Sequence, residues 1–256
     1  MLREGKHLRI TLKCLSHNYE TPDNLTIHRF PGLRDLNLQD LGKINLLVGA
    51  NNSGKTSVLD AISTHCSNAV LTVDTVTPFS YGIEELQVEL LSEATFQRFK
   101  SEVIKLLQGI DSGIIDLAIL SHRGKRPSLY INHKQLGILP LSAVGDGVRR
   151  LLFIGLTLTK VRGGVLLIDE IEKAIHTDSL CSSFTWIVQW CQRLDVQLFA
   201  TTHSLETVDA MLGASDTETG LVLYRLEKWE LQTKVIRLER EILQRVREDL
   251  GQEVRV

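Results

Sequence analysis

The sequence predicts an α/β fold: a mainly parallel sheet covered by helices on both faces, with β elements ahead of it and a small inserted lid. Three observations carry this. The short apolar runs KINLLVG (43–49), GGVLLID (163–169) and VQLFATT (196–202) read as strands buried on both sides. The stretches 55–68, 142–160 and 178–194 around them suit helices. No internal repeat, low-complexity tract or Pro/Ser-rich linker divides the 256 residues, which favours one integrated domain, 1–256.

Taken in order, LRITLKCL (8–15) alternates as a strand does, and LTIHRFPGLRDLNL (25–38) reads as two short strands around a turn at Pro31 and Gly32. The run 43–49 ends in glycine, and a helix follows from Lys55 to about residue 68. Residues 66–140 read as the inserted lid or subdomain, with strand-like pieces at 117–120 and 128–131 and a helical stretch near 92–108. A helix over 142–160 and the strand 163–169 come next. In the helix over 178–194, Phe184, Ile187, Val188, Cys191 and Leu194 recur on one face. After the strand 196–202, LVLYRL (221–226) and QTKVIRL (232–238) form a hairpin that leads into a charged helix ending near Asp249.

Composition narrows the partners. With 29 basic against 31 acidic residues, the chain lacks the basic excess that phosphate neutralisation demands, so any nucleic-acid contact must be local. The densest basic cluster is Arg123, Lys125 and Arg126, with His133 and Lys134 nearby; such runs are most often solvated faces. DNA as a partner is therefore unsupported by net charge. Cys14, Cys66, Cys181 and Cys191 show no metal-ligand spacing and are expected to be small core residues in a reducing compartment. No apolar run reaches about 18 residues and the opening MLREGKHLRI lacks an apolar signal-like stretch, so the expected location is the cytoplasm, away from membranes.

The chemistry concentrates in four places. Residues 49–56, GANNSGKT, match GxxxxGK[ST] in full. Glycines at 49 and 54 let the backbone of Ala50, Asn51, Asn52 and Ser53 curl its N–H groups inward as an anion nest, and the helix carrying Ser57 adds its positive end. Lys55 can reach the β- and γ-phosphates, and the Thr56 hydroxyl can ligate Mg²⁺. VLLIDE (165–170) then puts two carboxylates where a buried strand emerges: Asp169 would meet that Mg²⁺, and Glu170 would orient or deprotonate the attacking water. The bland alternative is an ordinary polar cap on a strand; beside a phosphate loop the pair indicates hydrolysis. Gly145, Asp146 and Gly147 open a helix with free N–H groups, a pattern that in isolation is a cap. TTHS (201–204) presents His203 at the end of the next strand, while His176, in IEKAIH, either lines the site or caps a turn.

LGKINLLVGANNSGKTSVLDAI, LSAVGDGVRRLL, GGVLLIDEIEKAIH and QLFATTHSLE, in this order and with a closing hairpin that ends in EVR, resemble the ABC-like P-loop ATPases of the SMC, RecF and OLD group. Within it they are most similar to the prokaryotic ATP/GTP phosphatase family annotated with the AAA-type ATPases. The resemblance implies an ABC-type sheet, with Gly49, Asn51, Asn52, Gly54, Lys55 and Thr56 around the phosphates and Mg²⁺ of ATP, and Asp169 and Glu170 as metal partner and base. It further implies His203 as a switch histidine and residues 145–147 as a signature turn that contacts ATP held by a second subunit. Gly145 stands where the group's signature has serine, with Ser142 nearby, and Arg149 or Arg150 is an alternative source of charge for that contact. About 85 residues separate Lys55 from Leu141 without a heptad repeat, so the long coiled coil of SMC proteins is missing.

The leading expectation is thus a Mg-dependent ATPase whose cycle closes and opens a homodimer, in DNA repair or phage defence by analogy. The alternative is a nucleotide-gated binding module that regulates an effector protein or DNA with little turnover. A nuclease is disfavoured, because little chain follows His203 and that part holds no acidic cluster.

Overall fold

The computed structural model describes residues 9–13, 22–66, 71–121, 126–229 and 232–255. The alternating sequence of β1 (Arg9–Lys13), β2 (Asn24–Phe30) and β3 (Leu33–Leu38) folds into an antiparallel sheet in that order. Leu25, Ile27, Leu33, Leu36 and Leu38 turn inward, each at most 1% exposed. The turn at Pro31 and Gly32 falls where expected, with φ +83° at the glycine.

There follow β4 (Ile44–Val48), α1 (Lys55–Cys66), β5 (Val73–Val76), α2 (Glu84–Phe96) and α3 (Lys100–Gln108). A second antiparallel sheet is built from β6 (Ile114–Leu120), β7 (Ser128–His133) and β8 (Gly137–Pro140). Then come α4 (Asp146–Lys160), β9 (Val165–Ile168), α5 (Thr177–Arg193), β10 (Gln197–Thr201) and α6 (Leu205–Ala214). Last are β11 (Leu221–Trp229), β12 (Gln232–Glu239), α7 (Arg240–Gln244) and a π-helical turn, Arg245–Asp249.

The central sheet has the order β12-β11-β4-β10-β9-β5 and is parallel throughout except where β12 returns against β11. Every residue of β4, β9 and β10 is buried, which is why these strands read as continuous apolar runs. Side chains alternate between two apolar clusters. Leu46, Leu166, Leu198 and Ala200 face α4, α5 and α6 together with α2, α3, β6 and β7. Leu47, Val165, Leu167 and Phe199 face α1 and the β2–β3 hairpin. The expected α/β class, with its mainly parallel sheet covered on both faces, is what the chain adopts. One polar residue interrupts the apolar run: Asn45 is fully buried, its amide donating to Gly42 O (2.8 Å) and Leu198 O (3.2 Å) and its oxygen accepting from Gly42 N–H (2.9 Å).

Four details differ from the sequence reading. The stretch 66–140 gives the central sheet an edge strand, β5, whose VDTV sequence has no apolar periodicity. The single helical stretch near 92–108 is two helices, with α2 starting at Glu84 and a break at residues 97–99 where Arg98 adopts φ +57°. α6 is an additional helix, capped by the Ser204 hydroxyl, which accepts from Thr207 N–H at 3.0 Å. Cys66 and Cys191 are buried, with burial pushing the Cys191 thiol up to about 12, but Cys181 is exposed: it lies one residue, about 100° of helix, from the buried stripe through Leu180, Phe184, Ile187 and Cys191. Cys14 lies outside the described residues. No helix among those residues is long and apolar enough to cross a membrane.

Candidate active site

The loop 49–54 leaves the end of β4, the middle of the sheet, and enters α1. Its shape needs glycine at two points. Gly49 has φ +144°, and a Cβ there would stand 2.4 Å from the backbone oxygen of Leu226. Gly54 has φ +101°, and a Cβ would stand 2.4 Å from Leu33 Cδ2. Asn52 takes φ +63°, a conformation asparagine tolerates better than most residues. Lys55 is only 6% exposed, and its ammonium donates across the loop to Gly49 O (2.8 Å) and Ala50 O (3.0 Å). Burial holds its pKa below the ordinary lysine value, while Asp169, Glu170 and Glu172 pull it back up.

The acids meet this loop from β9. The Thr56 hydroxyl lies 3.2 and 3.4 Å from the two carboxylate oxygens of Asp169, and the Thr201 hydroxyl, at the end of β10, donates to Asp169 Oδ1 at 2.6 Å. Thr201 also accepts the N–H of Glu170 at 2.8 Å. Glu170 needs that support, because its φ of +48° is left-handed and costs roughly 1–2 kcal/mol in a residue other than glycine. Its carboxylate stands 3.3 Å from Lys173 Nζ.

A second support comes from α4. Arg150 is completely buried, and its guanidinium donates to Thr77 O (2.5 Å), Asp169 O (2.7 Å) and Glu170 O (3.0 Å). It therefore joins the ends of β5 and β9 to the helix that begins at the signature turn. This corrects the expectation that Arg150 could supply charge at that turn: the side chain is buried and its two terminal nitrogens are committed inside the chain. Arg149 stays at that turn, donating to Asp146 (2.9 Å) and lying over the Tyr81 ring with its guanidinium 5.2 Å from the centroid. The sequence held one clue to Arg150, its place directly before the run LLFIGLTLT, which carries no charge.

A cleft of about 440 Å³ opens over the loop, lined by Gly32, Asn51, Asn52, Gly54, Lys55, Thr56, Ser57, His203 and Lys228. The fold thus gathers most of the loop residues with His203, and adds Gly32 and Lys228, which no motif marked. Gly49, Ala50 and Ser53 form the loop without lining the cleft, and Ser53 Oγ is buried with no hydrogen-bond partner among the described residues. Gly145, Asp146 and Gly147 do not reach this cleft. Gly145 is the exposed N-cap of α4, and Gly147 packs so closely on the segment after the acids that a Cβ would stand 2.7 Å from Ala174 O. His176 takes the capping alternative, its Nδ1 accepting from Asp178 N–H at 3.4 Å. Of the basic cluster, Arg126 is exposed and pairs with Glu85, His133 is buried against Asp111 (3.3 Å), and Arg123 and Lys125 lie outside the described residues.

A family model described as "AAA domain, putative AbiEii toxin, Type IV TA system" matches residues 64–209. Two uncharacterized proteins of Methanocaldococcus jannaschii are related in sequence: MJECL11, 35% identical over 75 residues (29% of this chain and 66% of that one), and MJECL10, 42% identical over 41 residues (16% and 19%). The chain spans less than two thirds of either. Among solved structures, the SMC head domain from Thermotoga maritima is similar with a TM-score of 0.54 at 10% identity, covering 85% of this chain and 98% of that one. The ATP-binding cassette MJ1267 of an ABC transporter, in its ADP conformation, gives 0.51 at 13% identity (86% and 90%), and cbiO1 from Clostridium perfringens, part of the ABC transporter complex cbiONQ, gives 0.50 at 12% (86% and 89%). At such identities the likeness is one of fold.

Proposed function

The chain belongs to the AAA domain family whose model it matches and has the fold of an ABC-like P-loop ATPase of the SMC group, and on that premise we propose that it binds ATP with Mg²⁺ at residues 49–56 and hydrolyses the β–γ phosphoanhydride. One observation supports this most. Thr56 and Asp169, 113 positions apart, stand within hydrogen-bond distance beside a lysine held in a glycine-built anion nest.

The hydroxyl of Thr56 and the carboxylate of Asp169 are hard oxygen donors suited to holding Mg²⁺, which when bound supplies positive charge against the phosphate oxygens. The remaining work falls to the chain. Lys55 exchanges two loop carbonyls for β- and γ-phosphate oxygens, a stronger, charge-assisted pairing. His203, at the cleft, serves near the γ-phosphate. Glu170 takes a proton from water as the water oxygen bonds to the γ-phosphorus and the bond to the β–γ bridging oxygen breaks. Thr201 and Arg150 keep Glu170 in its left-handed turn, so its carboxylate is already placed before substrate arrives.

The exposed turn at residues 145–147 lies outside its own chain's cleft, which supports a head-to-tail homodimer in which this turn closes on ATP held by the partner. Residues 66–140 act within one unit, 1–256, as a lid beside that turn, with Tyr81 under Arg149 and Thr77 O bound by Arg150. Phosphate release by wild type and by Glu170→Gln tests the chemistry: the variant is expected to retain ATP and lose turnover, and undiminished release removes Glu170 as the base. Light scattering of the same variant tests assembly, since a mass unchanged by ATP rules out the dimer. Its pull-down with ATP present is the route to an effector protein or DNA partner.

A further inference from the structure

His203 sits on the short link between β10 and α6, and both of its backbone polar groups are bound from distant parts of the chain. Its N–H donates to Glu172 Oε1 at 3.0 Å, from the segment after the acids. Its carbonyl accepts from the Arg255 guanidinium at 2.6 Å, across 52 positions.

Arg255 is itself fixed in place. Glu253 accepts its Nε–H at 2.9 Å, its terminal N–H at 2.7 Å and its backbone N–H at 2.8 Å. That pairing pulls the Glu253 carboxyl down to about 2. Val254, between them, is 1% exposed and joins the apolar cluster that holds Met211 and Leu212 of α6 and Leu243 of α7. Gln252 O accepts from Arg247, which also grips Asp209 of α6 with two bonds of 2.7 and 2.8 Å. Residues 252–255 thus lie tied against α6, the helix that His203 leads into. Covering apolar surface requires Val254 alone; it does not require a guanidinium aimed at the carbonyl of a cleft residue.

We propose that residues 252–255 are a strap that sets the position of His203 in the nucleotide cleft, with Arg255 as the positioning residue. The guanidinium suits this because its donors are rigidly splayed: one edge stays on Glu253 while the remaining nitrogen holds His203 O. The peptide carrying the imidazole is then gripped at its N–H by the segment after the acids and at its carbonyl by the strap. The inference rests on the reading of His203 as a group acting on the γ-phosphate.

The test is a double-mutant cycle on ATP turnover with His203→Ala, Arg255→Ala and the double variant, plus Arg255→Lys, with ATP affinity and melting temperature measured alongside. Arg255→Ala is expected to lower kcat about 10-fold or more at nearly unchanged ATP affinity, as a misplaced catalytic group does. Arg255→Lys should not restore it, and the double variant should be no slower than His203→Ala. If Arg255→Ala does not fold, Arg255→Gln, which keeps one donor, takes its place in the cycle. Wild-type kcat in the Arg255 variant while His203→Ala is slow, or losses that simply multiply, overturns the strap and leaves the histidine's role intact. Wild-type kcat in His203→Ala overturns that role, and the strap with it.

Discussion

Replacing Arg150 by Met tests whether the guanidinium buried behind the acids is structural glue for the turn that carries Glu170. Met nearly fills the space without a charge, so the change isolates the three hydrogen bonds to Thr77 O, Asp169 O and Glu170 O. Two of those carbonyls keep another donor: Ser80 N–H reaches Thr77 O at 3.3 Å, and Lys173 N–H reaches Glu170 O at 2.9 Å. Asp169 O has Arg150 as its donor, and leaving such a group unsatisfied costs about 1–3 kcal/mol. The two weakened charge-assisted bonds add to this, and the relief of not burying a cation subtracts from it, since burial already lowers the Arg150 pKa. A net loss of about 2–4 kcal/mol results, or a fall of roughly 4–16 °C in Tm for a chain of this size. Arg149→Met is the internal control: it removes a partly exposed pair with Asp146 worth at most about 1 kcal/mol. The assay is thermal unfolding of both variants, followed by phosphate release well below the lower Tm, where Arg150→Met should be the slower enzyme. Equal melting of the two variants would refute the reasoning.

Thr201→Val keeps the volume but removes the donor to Asp169 and the acceptor for Glu170 N–H, so turnover should fall about 10-fold or more and stability by about 1–3 kcal/mol; wild-type phosphate release would show that Glu170 holds its turn unaided. Gly49→Ala sets a methyl group 2.4 Å from Leu226 O, at a φ that side chains rarely adopt, so calorimetry should find ATP affinity at least about 10-fold weaker. Among the described cysteines, only Cys181 should react with a thiol reagent in the native protein, while Cys66 and Cys191 react after unfolding; rapid native labelling of Cys191 would contradict its burial.

The central strands could be read from the sequence because strands buried on both faces are mostly apolar, as in VLLI and the LFA of QLFAT, and the loop 49–54 because its glycines fall in a GxxxxGK[ST] pattern. β5 could not. Its VDTV sequence is a strand only because β9 lies ready to pair with it, which is a property of the assembled sheet. α6 carried its signal, a Ser204 cap followed by Val208, Met211 and Leu212 at helical spacing. The adjacent arginines 149 and 150 show where local reading stops. They are identical in type, yet one angular step of the helix sends one over Tyr81 and the other into the interior. Lys228 and Arg255 reach the cleft and the His203 link from far along the chain, and no spacing rule connects them to residues 49–56.

Asn45 has a consequence for how the sheet is assembled. An otherwise uniform apolar strand could slide by one residue against its neighbours, which would swap every side chain between the two faces. The two bonds of Asn45 to Gly42 are local and travel with the strand, but its bond to Leu198 O is made in this alignment, and a slide would remove that buried donor's cross-strand partner. Gly49 lies four positions further on, so this one carboxamide also indexes where the phosphate loop leaves the sheet.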